Sequence, residues 1–378
     1  MNTNQKETEK EKEKEKEKET KSITIFWNYP SEKKDVKIAG NFNNWNPNEK
    51  MDEKNGKYEK TIEFLEGEQQ FKFIIDGEWK CSPDYEQTEN EPRNNVIFIE
   101  KKIKTKLRIM SFNIRYDNPD DGKFKWENRK KFVIELIKIY KPSVISLQEA
   151  LKNQIVDLEK DLKHFSWIGG GRNDGKDSGE FAAIFYNNKK LDCLNQSTFW
   201  LSKTPDKIGS ISWGSACVRI CTWGLFAKKS NHDMKFYVFN THLDHISENS
   251  QINSAKLIRS KISQITKNRF GYVLTGDFNI TPDSNVYKEF FKDESEKDHH
   301  NFADLVDSSL VADFKNFEQL GSFTGWKTSK IVENSQNILI DYIFCNPSAK
   351  VKSYNVIIDT FGNFRPSDHR PIMVRLLL

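Results

Sequence analysis

The 378-residue chain has no apolar run long enough to cross a bilayer, which takes about 20 apolar residues. It is polar from its first residue, so it lacks the apolar core of a signal peptide. It also lacks a strong charge of either sign. Lys plus Arg number 59 and Asp plus Glu 55, for a net +4, a balance that points neither to nor away from nucleic acid as a partner. Cysteine is scarce. Cys81, Cys193, Cys217, Cys221 and Cys345 are odd in number and match no zinc spacing, which excludes a disulfide framework of paired cysteines and leaves free thiols. From these absences we expect a soluble cytoplasmic protein with no membrane partner.

What is present divides unevenly along the chain. Residues 1–21 are dominated by alternating Lys and Glu, with no apolar stripe to pack on a core, so a solvated, disordered arm is expected. From 22 to 100, short β-rich runs are separated by turn residues: Ile23–Trp27, Val36–Ala39, Tyr58–Leu65, Phe71–Ile75 and Val96–Ile99. The alternation of Phe71, Phe73 and Ile75 is that of a strand with one buried face. A small all-β sandwich is expected here. Residues 101–104 form a basic connector. Beyond it, strands alternate with amphipathic helices such as Trp126–Tyr140 and Gln251–Ile265, which gives an α+β architecture over 105–378. Lys292–Asn301 reads as a charged insertion.

In the larger segment, polar residues recur at the ends of apolar strands. Asn113 follows Ile109–Phe112, Glu149 ends Val144–Gln148, and Asn240 and His242 end Phe236–Phe239. Asp277 and Asn279 end Tyr272–Gly276, Asp341 lies within Ile338–Phe344, and Asp368 and His369 precede Pro371–Leu376. A buried charge is costly unless paired or metal-bound, and one such residue is an ordinary turn cap. Six strands carrying such groups, if they converge, make an oxygen-rich pocket with two histidines. Hard cations such as Mg²⁺ prefer such ligands, and the composition suits phosphate-ester chemistry.

The segments S-F-N-I-R (111–115), L-Q-E (147–149), N-T-H-L-D-H (240–245), T-G-D-F-N (275–279), I-D-Y-I-F (340–344) and S-D-H-R-P (367–371) together resemble the ordered motif set of the endonuclease/exonuclease/phosphatase superfamily. The resemblance implies a DNase-like four-layer sandwich, two central sheets flanked by helices, with the site at the sheet edges. It implies Glu149 as the main Mg²⁺ ligand, assisted by Asn113 and by Asp341 or Asp368, with Mn²⁺ as a substitute metal. It implies Asp277 as the residue that orients and deprotonates water and Asn279 as its support. His369 would contact the scissile phosphate, its tautomer set by Asp368 or Asp341, and His242 would stabilise transition-state charge. W-E-N-R (126–129), G-R-N-D-G-K-D-S-G-E-F (171–181), R-I-C-T-W (219–223) and S-F-T-G-W (322–326) resemble a subfamily of these hydrolases. Arg172, Glu180, Arg219 and Asn240 are the expected substrate-side residues. An equal alternative for Arg172, Glu180 and Arg219 is a structural salt-bridge network. The local pattern G-D-F-N-I-T-P-D-S-N-V-Y (276–287) resembles the deadenylase and nocturnin group, with Thr281 as a helix N-cap and Pro282 at the first helical position.

G-N-F-N-N-W (40–45), Q-F-K-F-I-I-D-G-E-W (70–79) and R-N-N-V-I (93–97) resemble the glycogen-binding module of the AMP-activated protein kinase β subunit. That resemblance implies Trp45 and Trp79 as sugar-stacking aromatics and Lys72 and Asn95 as hydrogen-bonding residues. Three functions are thereby expected in competition. One is a phosphoesterase held on glycogen or another α-glucan, acting on a phosphorylated small molecule, glucan or nucleic acid. The others are a 3′-exonuclease on RNA and a non-catalytic glucan-binding adaptor.

Overall fold

The computed structural model describes residues 20–29, 35–54, 56–65, 67–99, 105–267, 269–292, 302–326, 338–362 and 364–378. The Lys/Glu arm as far as residue 19, the basic connector at 101–104 and most of the charged insertion (293–301) lie outside them. The chain divides into two compact units between Lys102 and Ile103.

In the first unit, Thr20–Trp27, Lys57–Leu65 and Asp52–Lys54 form a three-stranded antiparallel sheet. Val36–Gly40, Gly67–Ile75, Asn95–Ile99 and Glu86–Gln87 form a second sheet, with Glu78–Lys80 hairpinned onto Gly67–Ile75. Alternation decides which side chains are buried: Phe71, Phe73 and Ile75 meet Ile25, Trp27, Ile38 and Phe64 in one core.

The second unit is built on two sheets. Phe165–Ile168, Phe181–Asn187, Val144–Ala150, Lys106–Asn113, Ile372–Leu377, Lys350–Val356 and Lys315–Asn316 make one, in that spatial order among the described residues. Leu191–Trp200, Ile220–Lys228, Asn231–His242, Gly271–Asp277, Asp341–Cys345 and Val306–Asp307 make the other. Central strands of both sheets are buried on two faces, hence their continuous apolar runs rather than strict alternation. Ile109, Val144, Ile184 and Val374 from the first sheet pack against Phe236, Val238, Val273 and Ile343 from the second. The outer face of the first sheet is covered by Trp126–Tyr140 and Lys152–Asp161, through Val133, Ile137, Ile155 and Leu158. That of the second is covered by Glu248–Thr266, through Ala255, Ile258 and Ile262. The result is a four-layer α+β sandwich. Among the described residues no helix is long and apolar enough to cross a membrane, and all five cysteines are free.

Two local readings differ. The short helix after the G-D-F-N segment is Asn285–Glu289, and its N-cap is Ser284, whose hydroxyl accepts from the Tyr287 amide at 3.1 Å. Thr281 instead turns its hydroxyl to the Asp283 carboxylate, which leaves the helix to begin a turn later. The strand expected from Ile338 begins at Asp341, which therefore stands at the strand's edge rather than inside it.

Candidate active site

Strand register brings the polar residues to one edge. Lys106–Asn113 and Val144–Ala150 run parallel with Gln148 beside Asn113. Asn231–His242 and Gly271–Asp277 run parallel with His242 beside Asp277, and antiparallel Asp341–Cys345 starts with Asp341 opposite Asp277. Five strand ends from two sheets thus open on the same place. Gly276 is required for the close approach: a Cβ there would lie 2.4 Å from the Thr241 carbonyl oxygen.

Asp277 is the hub. Its Oδ1 accepts from the Asn279 amide at 3.0 Å and its Oδ2 from Asn113 Nδ2 at 2.9 Å. The same oxygen lies 3.6 Å from His242 Nε2 and 3.7 Å from His369 Nε2. Asn113 Nδ2 also donates to Glu149 Oε1 at 2.9 Å, and Glu149 Oε2 accepts from the Tyr116 amide at 3.1 Å. His369 Nδ1 lies 2.8 Å from Asp341 Oδ2, so Asp341, rather than Asp368, fixes that ring. The Asp368 carboxylate accepts from Ser367 Oγ and sits 4.0 Å from Arg115, on the Glu149 side. Glu149 and Asn279 both have positive φ, 62° and 52°, a region non-glycine residues seldom occupy outside over-determined functional positions.

Four carboxylates in so small a volume repel one another. Burial, and then the charge on Asp341, push Asp277 up to about 7, against the pull of His369 and the Asn113 hydrogen bond. Burial and the charge of Glu149 raise Asp368 as well. For His369 burial alone would favour the neutral ring, but Asp341 and Asp277 outweigh it and hold the imidazole well above its ordinary value. His242 goes the other way: burial, then the positive charges of Arg219 and His369, keep it neutral.

The acidic cluster faces a basic wall. Glu180 Oε2 lies 2.7 Å from Arg172, 3.9 Å from Arg219 and 3.9 Å from His242 Nδ1, and burial raises that carboxyl. The two arginines therefore form a network through Glu180 and also flank His242. Arg219 reaches His245 Nδ1 at 3.2 Å.

Divalent metal fits the acidic side. Ligand atoms of Glu149, Asp277 and His369 all lie within 4.8 Å of one another, and Asp341 Oδ1 is buried with no hydrogen-bond partner. A hard cation prefers the carboxylate oxygens of such a group to an imidazole already tied to a carboxylate. Asn113 departs from the metal-ligand role: its oxygen accepts from the Arg115 amide at 2.9 Å and its nitrogen bridges Glu149 and Asp277. A second acidic group, Cys217, Asp244 and His245, is a loop clasp. Both Asp244 oxygens are taken by Ser215, Ala216, Ile246 and Ser247.

Asn240 does not line the site. It is fully buried, donates to the Leu147 and Ala183 carbonyls and accepts from Gln148, so its amide ties one sheet to the other. Three residues missed in the sequence shape the site. Arg115, at φ 56°, pairs with Asp121 at 3.1 Å and reaches Glu149 at 3.9 Å. Arg129 is fully buried on Trp126–Tyr140 and donates to the carbonyls of Ile114, Arg115, Tyr116, Phe124 and Pro366. Ser322 accepts from the Ile340 and Asp341 amides. The W-E-N-R and S-F-T-G-W segments were visible signals for the last two.

In the first unit, Trp45 and Trp79 come together with ring centroids 6.3 Å apart. Trp79 is 46% exposed, on the strand opposite Ile74 after the Asp76-Gly77 turn, whose positive φ values suit a two-residue hairpin. Lys72 alternates with core residues Phe71 and Phe73 and so lies on the outer face. Asn95 does not. It pairs with Phe71, is fully buried, and accepts from the Ser82 amide at 2.9 Å. Its neighbour Asn94 takes the outer face, donating to Gln70 Oε1 at 2.8 Å.

Known proteins agree with this geometry. Residues 21–106 match the family described as the glycogen recognition site of AMP-activated protein kinase, and residues 110–369 match the endonuclease/exonuclease/phosphatase family. An endonuclease/exonuclease/phosphatase from Bacteroides vulgatus is 35% identical, with TM-score 0.66, covering 72% of this chain and 99% of that one. A mannosyl-6-phosphatase from Bacteroides thetaiotaomicron is 33% identical, with TM-score 0.64, covering 72% and 100%. The human Nocturnin catalytic domain, at 19% identity and TM-score 0.54 over 72% and 93%, shares the fold. The chain belongs to the endonuclease/exonuclease/phosphatase family, a phosphoric ester hydrolase joined to a glycogen-recognition module.

Proposed function

We propose that the protein is a Mg²⁺-dependent phosphatase acting on a phosphorylated sugar or glucan, held near its substrate by α-glucan binding. The observation that carries this reading is the facing of two walls. Glu149 and Asp368 would hold the cation with Asp277 beside them, and Arg172, Arg219 and His242 make an anion site a few ångströms from Asp277. A divalent cation and a phosphate group together neutralise both. The sugar-phosphate choice draws support from the 33% identical mannosyl-6-phosphatase and from the glycogen-recognition module in the same chain.

In this mechanism Asp277, oriented by Asn279 and Asn113, accepts the proton of the attacking water. His369, held by Asp341, donates from Nε2 to a phosphoryl oxygen. His242, kept neutral, hydrogen-bonds another, and Arg172 and Arg219 bind the remaining negative charge. Mg²⁺ held by Glu149 and Asp368 would supply charge neutralisation at the phosphate and the leaving oxygen. In the module, Trp45 and Trp79 present flat apolar faces to glucose rings, with Lys72 and Asn94 at hand for hydroxyls.

The test is release of inorganic phosphate from mannose 6-phosphate, glucose 6-phosphate and phosphorylated glucan, run beside poly(A) RNA with Mg²⁺ and repeated with Asp277→Ala. Metal-dependent release from a sugar phosphate, lost in the variant, is expected. Shortening of RNA with no phosphate release from sugars would replace this reading with the exonuclease.

A further inference from the structure

A cavity of 740 Å³ lies at the other end of the catalytic unit from Asp277. Lys106, one of its lining residues, begins the strand that Asn113 ends. Seven residues of extended chain separate the two, roughly 23 Å. The cavity is therefore distinct from the phosphoester site.

Its lining contains no Asp or Glu and is dominated by cations. Two of them are neutralised: Lys229 pairs with Asp192 at 3.2 Å and Lys352 with Asp313 at 2.8 Å. Lys106, Arg108, Lys189, Lys190, Lys228 and Arg375 line it with no ion-pair partner among the described residues. Arg375 stands directly opposite Arg108 across adjacent strands, and like charges so placed destabilise a sheet. Lys228 is partly buried, and both burial and the charges of Lys106 and Lys190 work against its protonation. The turns that carry these lysines are fixed to each other, since the Lys229 amide donates to the Lys190 carbonyl at 2.9 Å. Lys106, Lys189, Lys190 and Arg375 are exposed, and this backbone bond brings the chain at Lys190 and at Lys229 to one concavity.

We propose that this cavity is a second binding site, for a compact molecule carrying about three phosphate groups. The number follows from charge, since six unpaired cations balance about three phosphates of −1.5 to −2 each. The size follows from the cavity, whose volume lies within the range of small-molecule pockets. A nucleic-acid strand or a bilayer surface would call for an open groove or a flat face. The occupant would relieve the repulsion that the fold otherwise carries, and so stabilise the folded chain by mass action.

The test is calorimetric titration of the full chain with inorganic tripolyphosphate, without divalent metal. The comparisons are the Lys190→Glu/Lys228→Glu variant and, as a control for the anion wall of the phosphoester site, Arg219→Ala. One tripolyphosphate per chain is expected, at least tenfold weaker in the charge-reversed variant and of the same affinity in Arg219→Ala. Independently, Lys228→Met should raise the thermal midpoint of the anion-free protein and shrink the further rise that tripolyphosphate brings. Equal affinities in wild type and the charge-reversed variant, or no saturable binding, overturn the proposal. Binding only to a single-stranded oligonucleotide or to phosphatidylserine vesicles, lost in the same variant, overturns it in favour of a strand or a membrane surface.

Discussion

His369 is held by Asp341 at 2.8 Å through Nδ1 while its Nε2 faces Asp277 at 3.7 Å, so one imidazole is fixed between two carboxylates from adjacent strands. The Asp341→Asn substitution keeps the shape but removes the charge that holds the ring protonated and in one tautomer. A fall in kcat of about 10²–10⁴-fold with little change in KM is expected, on the scale of losing the orienting carboxylate of a catalytic triad. Steady-state kinetics on whichever substrate the phosphate-release test identifies measures this. The double variant with His369→Ala should be no slower than His369→Ala alone.

Metal binding should depend steeply on pH. Asp277 is raised to about 7, so in the metal-free protein it carries a proton below that value. Apparent Mg²⁺ affinity should fall on going from pH 8 to pH 6, with proton release on binding in the lower range, read by calorimetry in two buffers. The sign for stability is opposite. A carboxyl whose folded value lies above its unfolded one contributes stability below about 4, and loses it as pH rises through 7. Mg²⁺ should restore it, most strongly at high pH, and Asp277→Asn should flatten the dependence.

Glu149→Gln should abolish the rise in unfolding temperature that Mg²⁺ or Mn²⁺ gives the wild type. The substitution removes an anionic oxygen from the cation site while keeping the hydrogen bond to the Tyr116 amide possible. An unchanged metal-induced shift would place the cation elsewhere.

The two adjacent asparagines of the first unit should part company. Trp79→Ala is expected to weaken retention on glycogen by about 10–100-fold, or about 1.4–2.8 kcal/mol, and Asn94→Ala to weaken it less. Asn95→Ala should leave retention intact and destabilise the fold by about 1–3 kcal/mol, because the buried Ser82 amide loses its acceptor. Glycogen co-sedimentation and thermal unfolding separate the two.

Arg129→Met should destabilise the second unit by about 3 kcal/mol or more, since five carbonyl oxygens lose their shared donor in a buried place. Chemical denaturation measures it.

Much of this was legible in the sequence, for a physical reason. Apolar runs that stop at a lone Asn, Asp, Glu or His mark strand ends, and period-3.6 stripes mark the covering helices. Asn113, Glu149, His242, Asp277, Asp341 and His369 could thus be collected before their distances were known. What escaped was whatever depends on which way a side chain turns. Asn240 and Asn95 sit in matching motifs, yet one sews the sheets together and the other lies in a core, because alternation about one residue decides the face. Asn113 shows its nitrogen, not its oxygen, to the carboxylates because the Arg115 amide takes the oxygen. Arg129 stands in the quoted W-E-N-R segment, yet nothing in that pattern reveals that the preceding loop folds four of its carbonyls, and Pro366 a fifth, onto one guanidinium. Ser284 took the cap from Thr281 because both are good caps and only the backbone path chooses between them.

The positive φ at Glu149 and at Asn279 has a bearing on the chain's evolution. Glycine is the residue that such a backbone accepts without strain. At both places the substitution that relaxes the fold is therefore the one that deletes a working side chain. The sturdiest form of this protein would be an inert one, and screening variants for heat resistance alone would drift toward it.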